Sequence, residues 1–520
     1  GSVRTDATPG SLHLVEPRVN GTMALTTHSG VAETVVKDPG IHFAASTVRG
    51  ALSTTATAGN ITDSGALTVS GTSTFVTIAN DATITLDQGG HAFTGALLIT
   101  TNDASPDTAG DVTISAGSGA VLDFGNSTID GDLVATSSNT TGITDSGAVT
   151  VRGTASFQTT AANADISLGT STLGDGTGTD TITLNTTGST GNATLDNGTT
   201  VVALGTSADS LVTSVGGDLT LRSGAAAGIT DSATVTVGGN LIATTDDNDG
   251  VIDLGTLAVT GTITLTTEGS GAATIDNGTA NIDIAAASVG GNLTLTSGAS
   301  TSGSNYAIMD SGTVTVGGNL IATTNANNGV INLGDLEVNG TIALTTHNNG
   351  AATVVNDAGL NFAASTVGGA LSATATAGDI IDTGVLAITG ASTFTVANTE
   401  NITLGSDNTF SSTVTFAASA GTIASVEIND SNAFDIKPLT TTGGLTVTAG
   451  GNITDSGTVS VGGALAVTTD ANSGSIDLGD LEVNGTIALT THSGGAATVV
   501  NDAGDRKSTR LNSSHTSIPY

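Results

Sequence analysis

A short phrase, glycine followed by a variable residue, an apolar residue, a second variable residue and a second apolar residue, returns along this chain in steps dominated by 22 residues. It stands at Gly217-Asp218-Leu219-Thr220-Leu221, Gly239-Asn240-Leu241, Gly261-Thr262-Ile263-Thr264-Leu265, Gly291-Asn292-Leu293-Thr294-Leu295, Gly318-Asn319-Leu320, Gly340-Thr341-Ile342-Ala343-Leu344 and Gly485-Thr486-Ile487. Alternation puts Ile263 and Leu265 on one face and Thr262, Thr264 and Thr266 on the other, the period-two signature of a half-buried strand. The runs are punctuated by Gly-Gly, Asn-Gly, Asp-Ser-Gly and Asn-Asp-Ala-Gly turns. A unit of this length has the dimensions of one coil of a parallel β-helix. One coil cannot bury its own apolar face, whereas stacking the next at about 4.8 Å pairs the backbone and continues the core.

The short period lies inside a longer one. Asp63-Ser64-Gly65, Asp145-Ser146-Gly147, Asp231-Ser232-Ala233, Asp310-Ser311-Gly312, Asp382-Thr383-Gly384 and Asp455-Ser456-Gly457 recur every 72 to 86 residues, and residues 331–359 match 476–504 at 26 of 29 positions. Duplication of this kind lengthens an array and does not by itself create a unique pocket. The predicted fold is all-β, a parallel β-helix of roughly 20 to 22-residue coils with longer insert coils. Roughly twenty coils would make a rod on the order of 100 Å. The long period alone also allows tandem Ig-like β-sandwiches of about 80 residues, but those invest in a few large core residues. Ten Phe, two Tyr and no Trp in 520 residues suit a thin, regular core instead. Six prolines leave the backbone amides free for ladders.

The organisation expected is one continuous repetitive solenoid over residues 1–504 and a non-native, disordered tail over 505–520. At Gly504 the repeat register stops, where its copy continues from Gly359 into Leu360-Asn361-Phe362. Residues 505–515 resemble, residue for residue, the translation of a common short-read sequencing adapter. At the other end, Arg4, Pro9, Pro17, Arg18, Lys37 and Arg49 depart from the repeat, as a diverged copy or as misread sequence. The register predicts a parent protein that extends in both directions.

Charge and composition narrow the function classes. A formal net charge of −36, carried mostly by Asp, repels nucleic acid and anionic membranes. The chain has no Cys, hence no disulfide framework or thiol chemistry. Mean hydropathy of +0.21 excludes a charged disordered chain, and no apolar run approaches the roughly 18 to 20 residues of a membrane helix.

Residues able to carry chemistry are few. Gly176–Ile182 fits part of a calcium-binding β-roll repeat, but it occurs once and Asp175 stands where the first Gly belongs. Asp246-Asp247-Asn248-Asp249-Gly250 resembles the opening of an EF-hand loop, yet Thr245 and Thr256 occupy ligand places, and the repeat equivalents at 325–329 and 470–474 reduce it to a polar turn. His28, His347 and His492 are one repeat position without a second ligand nearby, so surface turns are expected. The Asp-Ser-Gly aspartates are expected to accept hydrogen bonds within their own turns. Between residues 51 and 504 the only Lys or Arg residues are Arg152, Arg222 and Lys437, scattered among different copies. Thr-x-Thr rows of the kind an ice-binding face needs are interrupted by Ile242, Ile321 and Ala343. No catalytic, cofactor-binding or metal residue is assigned, and no cofactor is expected.

The Gly-Asn-Leu-Thr-Leu, Gly-Thr-Ile-Ala-Leu and Ile-Thr-Asp-Ser-Gly phrases give the chain the look of the repetitive shaft of filamentous-haemagglutinin-like giant bacterial surface proteins. The resemblance covers residues 1–504 in style. It implies a non-enzymatic, secreted or surface-displayed segment that mediates adhesion or aggregation, with glycans or proteins of host or neighbouring cells, or further copies of itself, as partners. A surface-layer or extracellular-matrix protein is the second reading. A β-helical polysaccharide lyase or glycosidase is the third, and it needs a placed acid/base pair that the sequence does not supply.

Overall fold

The computed structural model describes residues 2–5, 12–15, 21–27, 30, 32–37, 40–103, 109–176, 179–207, 210–300 and 306–502. The tail at 505–520, His28, Pro9, Pro17 and Arg18 lie outside them. Among the described residues there is no helix. Parallel strands stack in about 21 coils, a β-solenoid. The chain divides into two compact units, Gly1–Asp276 and Asn277–Tyr520.

In the first unit Leu219 pairs with Leu241 and Leu241 with Ile263, and Leu221, Ala243 and Leu265 follow in the same register. In the second, Leu293, Leu320 and Ile342 form one column and Leu295, Ala322 and Leu344 the next. Leu219, Leu221, Ile263, Leu265, Leu293, Leu295, Ile342 and Leu344 are all buried, as the alternation predicts. Each contributes roughly 1.5 to 3 kcal/mol by leaving water. A slip of one residue would turn each apolar column outward, so the alternation also fixes register. Parallel pairing over offsets of about one coil replaces the antiparallel sandwich alternative.

The glycine of the coil phrase has a steric cause. A Cβ on Gly239 would collide with the Gly217 backbone and the Asp218 carboxylate, and one on Gly318 with the Gly291 backbone and the Asn292 amide. Thr220, Thr264 and Thr294 hold the outward-facing position of the phrase in their coils. Ile242 and Ile321 interrupt those rows as exposed apolar residues.

Candidate functional site

The six recurring aspartates do not bond within their own turns. The residue after each one has already turned its N–H toward the preceding coil: Ser64 to the Phe43 carbonyl, Ser146 to Phe124, Ser232 to Leu204, Ser311 to Ile284, Thr383 to Phe362 and Ser456 to Ile436. The carboxylate therefore faces the coil that follows. Asp145 accepts the Gly169 and Thr170 amides at 2.9 and 2.8 Å, and Asp231 accepts Gly255 and Thr256 at 2.8 and 2.9 Å. Asp310 takes Gly334 and Asp335 at 2.8 Å each, and Asp455 takes Gly479 and Asp480 at 2.9 Å each. Asp382 accepts Gly405 at 2.9 Å and the Asn408 Nδ2 at 2.7 Å, and Asp63 accepts Asp87 at 3.2 Å. The motif is a clamp between successive coils.

A second set of polar residues does the same work at the coil phrase. Asp165 accepts the Asn192 amide, Asn192 that of Asp218, Asp218 that of Asn240 and Asn240 that of Thr262, a relay at 2.7 to 2.9 Å along the first unit. In the second unit Asn292 accepts Asn319, and Asn319 accepts Thr341, at 2.8 Å. The acidic composition thus answers the amides of the turns, which open toward solvent where strand ladders end.

The EF-hand-like segment is such a turn. Asp249, Asn328 and Ser473, equivalent residues, all occupy the left-handed region, at φ of 69°, 63° and 62°. The Asp249 carboxylate accepts the Ser270 amide at 2.7 Å and hydroxyl at 2.5 Å, and these two bonds hold its pKa below the usual carboxylate value. Of the β-roll-like segment, Thr177 and Gly178 lie outside the described residues; the Asp180 carboxylate accepts the Asp175 amide at 3.3 Å. His347 and His492 end equivalent strands, and the His492 Nδ1 lies 2.9 Å from the Thr469 carbonyl. Arg152, Arg222 and Lys437 each meet an aspartate, Asp130, Asp246 and Asp435 respectively. Among the described residues no group of three or more His, Cys, Asp or Glu is placed to hold a metal ion.

Of the buried ionisable groups, which also include Asp130 and Asp430, two features call for a separate account. His91 Nε2 lies 3.0 Å from Asp63 Oδ2 with both side chains fully buried, although the pair is not aligned as a hydrogen bond. His91 Nδ1 accepts the Leu67 amide at 2.9 Å, which places the imidazole proton on Nε2. Burial pushes the Asp63 pKa up and the His91 pKa down, in both cases toward the neutral form. A histidine beside a buried aspartate suggests general base chemistry, but the repeat equivalent resolves its role. Asn408 accepts the Leu386 amide at 2.7 Å and donates to Asp382 at 2.7 Å, the same two neighbours in another copy. His91 is a variant of this structural corner. The signal was available: Gly90-His91-Ala92-Phe93 aligns with Asp407-Asn408-Thr409-Phe410.

Glu33 is the second feature. It stands where Ala352 stands in the later copy, is 1% exposed, and neither carboxyl oxygen has a hydrogen-bond partner. Burial raises its pKa to about 7.

Fold and site together define a structural repeat protein of the β-solenoid class, its recurrent polar residues used between coils. The chain belongs to the family described as Repeats of unknown function (DUF5649), which matches residues 29–100, 109–172, 349–417 and 423–490, over half its length. No curated protein and no solved structure matches it.

Proposed function

We propose that this chain is the structural and adhesive repeat region of an exported bacterial surface protein of the filamentous-haemagglutinin-like kind, presenting an extended acidic surface for adhesion or aggregation. The observation that carries this reading is the direction of its recurrent polar groups. The clamp aspartates and the Asp/Asn relay bond the next coil, so the repeated chemistry maintains the stack and leaves outward rows of Thr and small residues to meet a partner. Binding through such rows is weak per site and strengthened by repetition. Glycans or proteins of a host or neighbouring cell, or further copies of the chain, are the partners of this reading. Its place is the cell surface or the medium, and it has no catalytic role.

The test is display of the chain on a non-adherent bacterium, with aggregation and retention on glycan-coated and protein-coated surfaces compared with an empty display carrier. Adhesion should rise with the number of repeats displayed. Equal behaviour of the full chain and the empty carrier would overturn the adhesive role. An ordered two-dimensional lattice formed by the purified chain would favour the surface-layer reading, and release of oligosaccharides from a polysaccharide would favour the enzyme.

A further inference from the structure

At several levels a straight strand is followed, one coil later, by two three-residue or shorter strands joined through a corner. Four such joints are built alike. Ala24–Thr27 meets the next coil through Met23↔Phe43 and Thr26↔Thr47, and Leu97–Thr100 through Leu97↔Phe124 and Thr100↔Thr128. Ile182–Thr187 uses Ile182↔Leu204 and Asn185↔Ser214, and Ile342–His347 uses Ile342↔Phe362 and Thr345↔Thr366. Between the two pairings one amide is left over, and each time a corner hydroxyl accepts it. Leu25 donates to Ser46 at 3.0 Å, Ile99 to Ser127 at 3.1 Å, Leu184 to Thr213 at 3.2 Å and Leu344 to Ser365 at 3.1 Å.

A fifth joint in the second unit fails. Val414–Ala418 pairs with Ser392–Val396 on one side. On the other, Phe434–Ile436 and Leu439–Thr441 stand where Leu122–Phe124 and Ser127–Ile129 stand after Leu97–Thr100, but they belong to a separate sheet. Two differences set this corner apart: Leu439 stands in place of Ser127 with its hydroxyl, and Lys437-Pro438 in place of Gly125-Asn126, whose Gly125 amide bonds the Leu97 carbonyl at 2.9 Å. Pairing resumes only past the corner, at Ile423↔Thr441.

The break opens two clefts. One of about 540 Å³ is lined by residues including Phe410, Val414, Asn432, Phe434 and Asp435, and one of about 170 Å³ by residues including Phe416, Ile423, Pro438 and Leu439. Phe410, Phe416 and Phe434 are 3%, 9% and 4% exposed, against 0 to 1% for the other buried phenylalanines. By the register of the intact joints, the Phe416 and Ala418 amides and the Val414 carbonyl face the gap.

We propose that this open joint is a docking slot for an extended peptide segment of a partner protein, which adds as a strand to the free edge of Val414–Ala418. Alternating backbone donors and acceptors on a strand edge are answered in register by another extended backbone, and the apolar lining receives its alternate side chains. With a formal net charge of −36 the chain favours a segment flanked by Lys or Arg. The slot is independent of the adhesive reading, and either can fail alone.

The test uses the full chain and a labelled peptide, Lys-Thr-Val-Thr-Phe-Thr-Lys, followed by fluorescence anisotropy. Saturable binding is expected, weakened by about tenfold or more when alternate peptide nitrogens are methylated. Leu439→Ser restores the corner hydroxyl; the Phe416 and Ala418 amides should then exchange more slowly and the peptide should no longer bind. If that variant misfolds by circular dichroism, Thr413→Trp, on the exposed rim of the larger cleft, should block the peptide instead. Absence of saturable binding, equal binding of the methylated peptide, or unchanged binding by a folded Leu439→Ser with slowed exchange would overturn the proposal. So would dimerisation of the wild type that Leu439→Ser abolishes, which would make a second copy the occupant.

Discussion

Two consecutive amides reaching one carboxylate across a coil boundary make Asp145, Asp231, Asp310 and Asp455 joints between neighbours. In Asp231→Ala the Gly255 and Thr256 amides keep only water, and because they lie near the surface the loss should be about 1 to 2 kcal/mol. Denaturant titration measures that loss, with faster exchange at those two amides as its local signature. His91 gives a sharper contrast. Replacement by Asn reproduces the Asn408 arrangement and should cost under about 1 kcal/mol, whereas His91→Leu leaves the Leu67 amide buried without an acceptor and should cost about 2 to 3 kcal/mol. Equal costs would show that the corner does not need an acceptor. Glu33 reads out through pH. With its pKa raised from 4.5 to about 7, the folded chain holds this proton more tightly than the unfolded chain does. The part of its destabilisation that comes from ionisation is therefore absent below about pH 4.5, grows as pH rises toward 7, and is complete above it. Glu33→Ala should accordingly stabilise the first unit by about 1 to 3 kcal/mol more near pH 8 than near pH 4, as thermal melts at the two pH values will show.

Strands of this fold are held mainly by columns of like residues. Leu265→Ala removes a buried side chain from between Ala243 and the core around it and should cost about 2 to 5 kcal/mol, while Ile321→Thr, on the exposed face, should stay within about 0.5 kcal/mol. Stability curves that rank these two the other way would reverse the inward and outward assignment. The inward set was legible in the sequence because alternation is a local signal: Ile263 and Leu265 declare their face within three residues. The partners of Asp145 and Asp231 were not, because the amides they bind lie 24 and 25 residues away and only stacking brings them near. His91 hid for a related reason, since a lone histidine has no pattern of its own and its meaning comes from aligning it with Asn408. The open joint at Leu439 needed both steps, the alignment to Ser127 and the knowledge that Ser127 accepts an amide.

Across the whole molecule, 46 acidic residues against 10 Lys and Arg set a second balance beside the hydrophobic one. Aspartates that accept amides gain locally from their charge, yet carboxylates on coils about 4.8 Å apart also repel one another through solvent. The repulsion extends over several coils at low ionic strength and is cut to about 10 Å at 0.1 M salt, whereas amide bonds of 2.8 to 2.9 Å such as those of Asp231 are screened much less. The two effects separate on adding salt. Sodium chloride raised from about 20 mM to about 0.5 M should increase the melting temperature by several degrees, most of the gain falling below about 0.15 M, where the Debye length changes fastest. Sodium sulfate at equal ionic strength should add a further rise, because it also strengthens burial of the apolar columns. Calorimetric melts over this series decide the matter: a midpoint that stays flat or falls in chloride would mean that the clamps and relays already neutralise the acidic surface, and that the net charge of −36 places no strain on the stack.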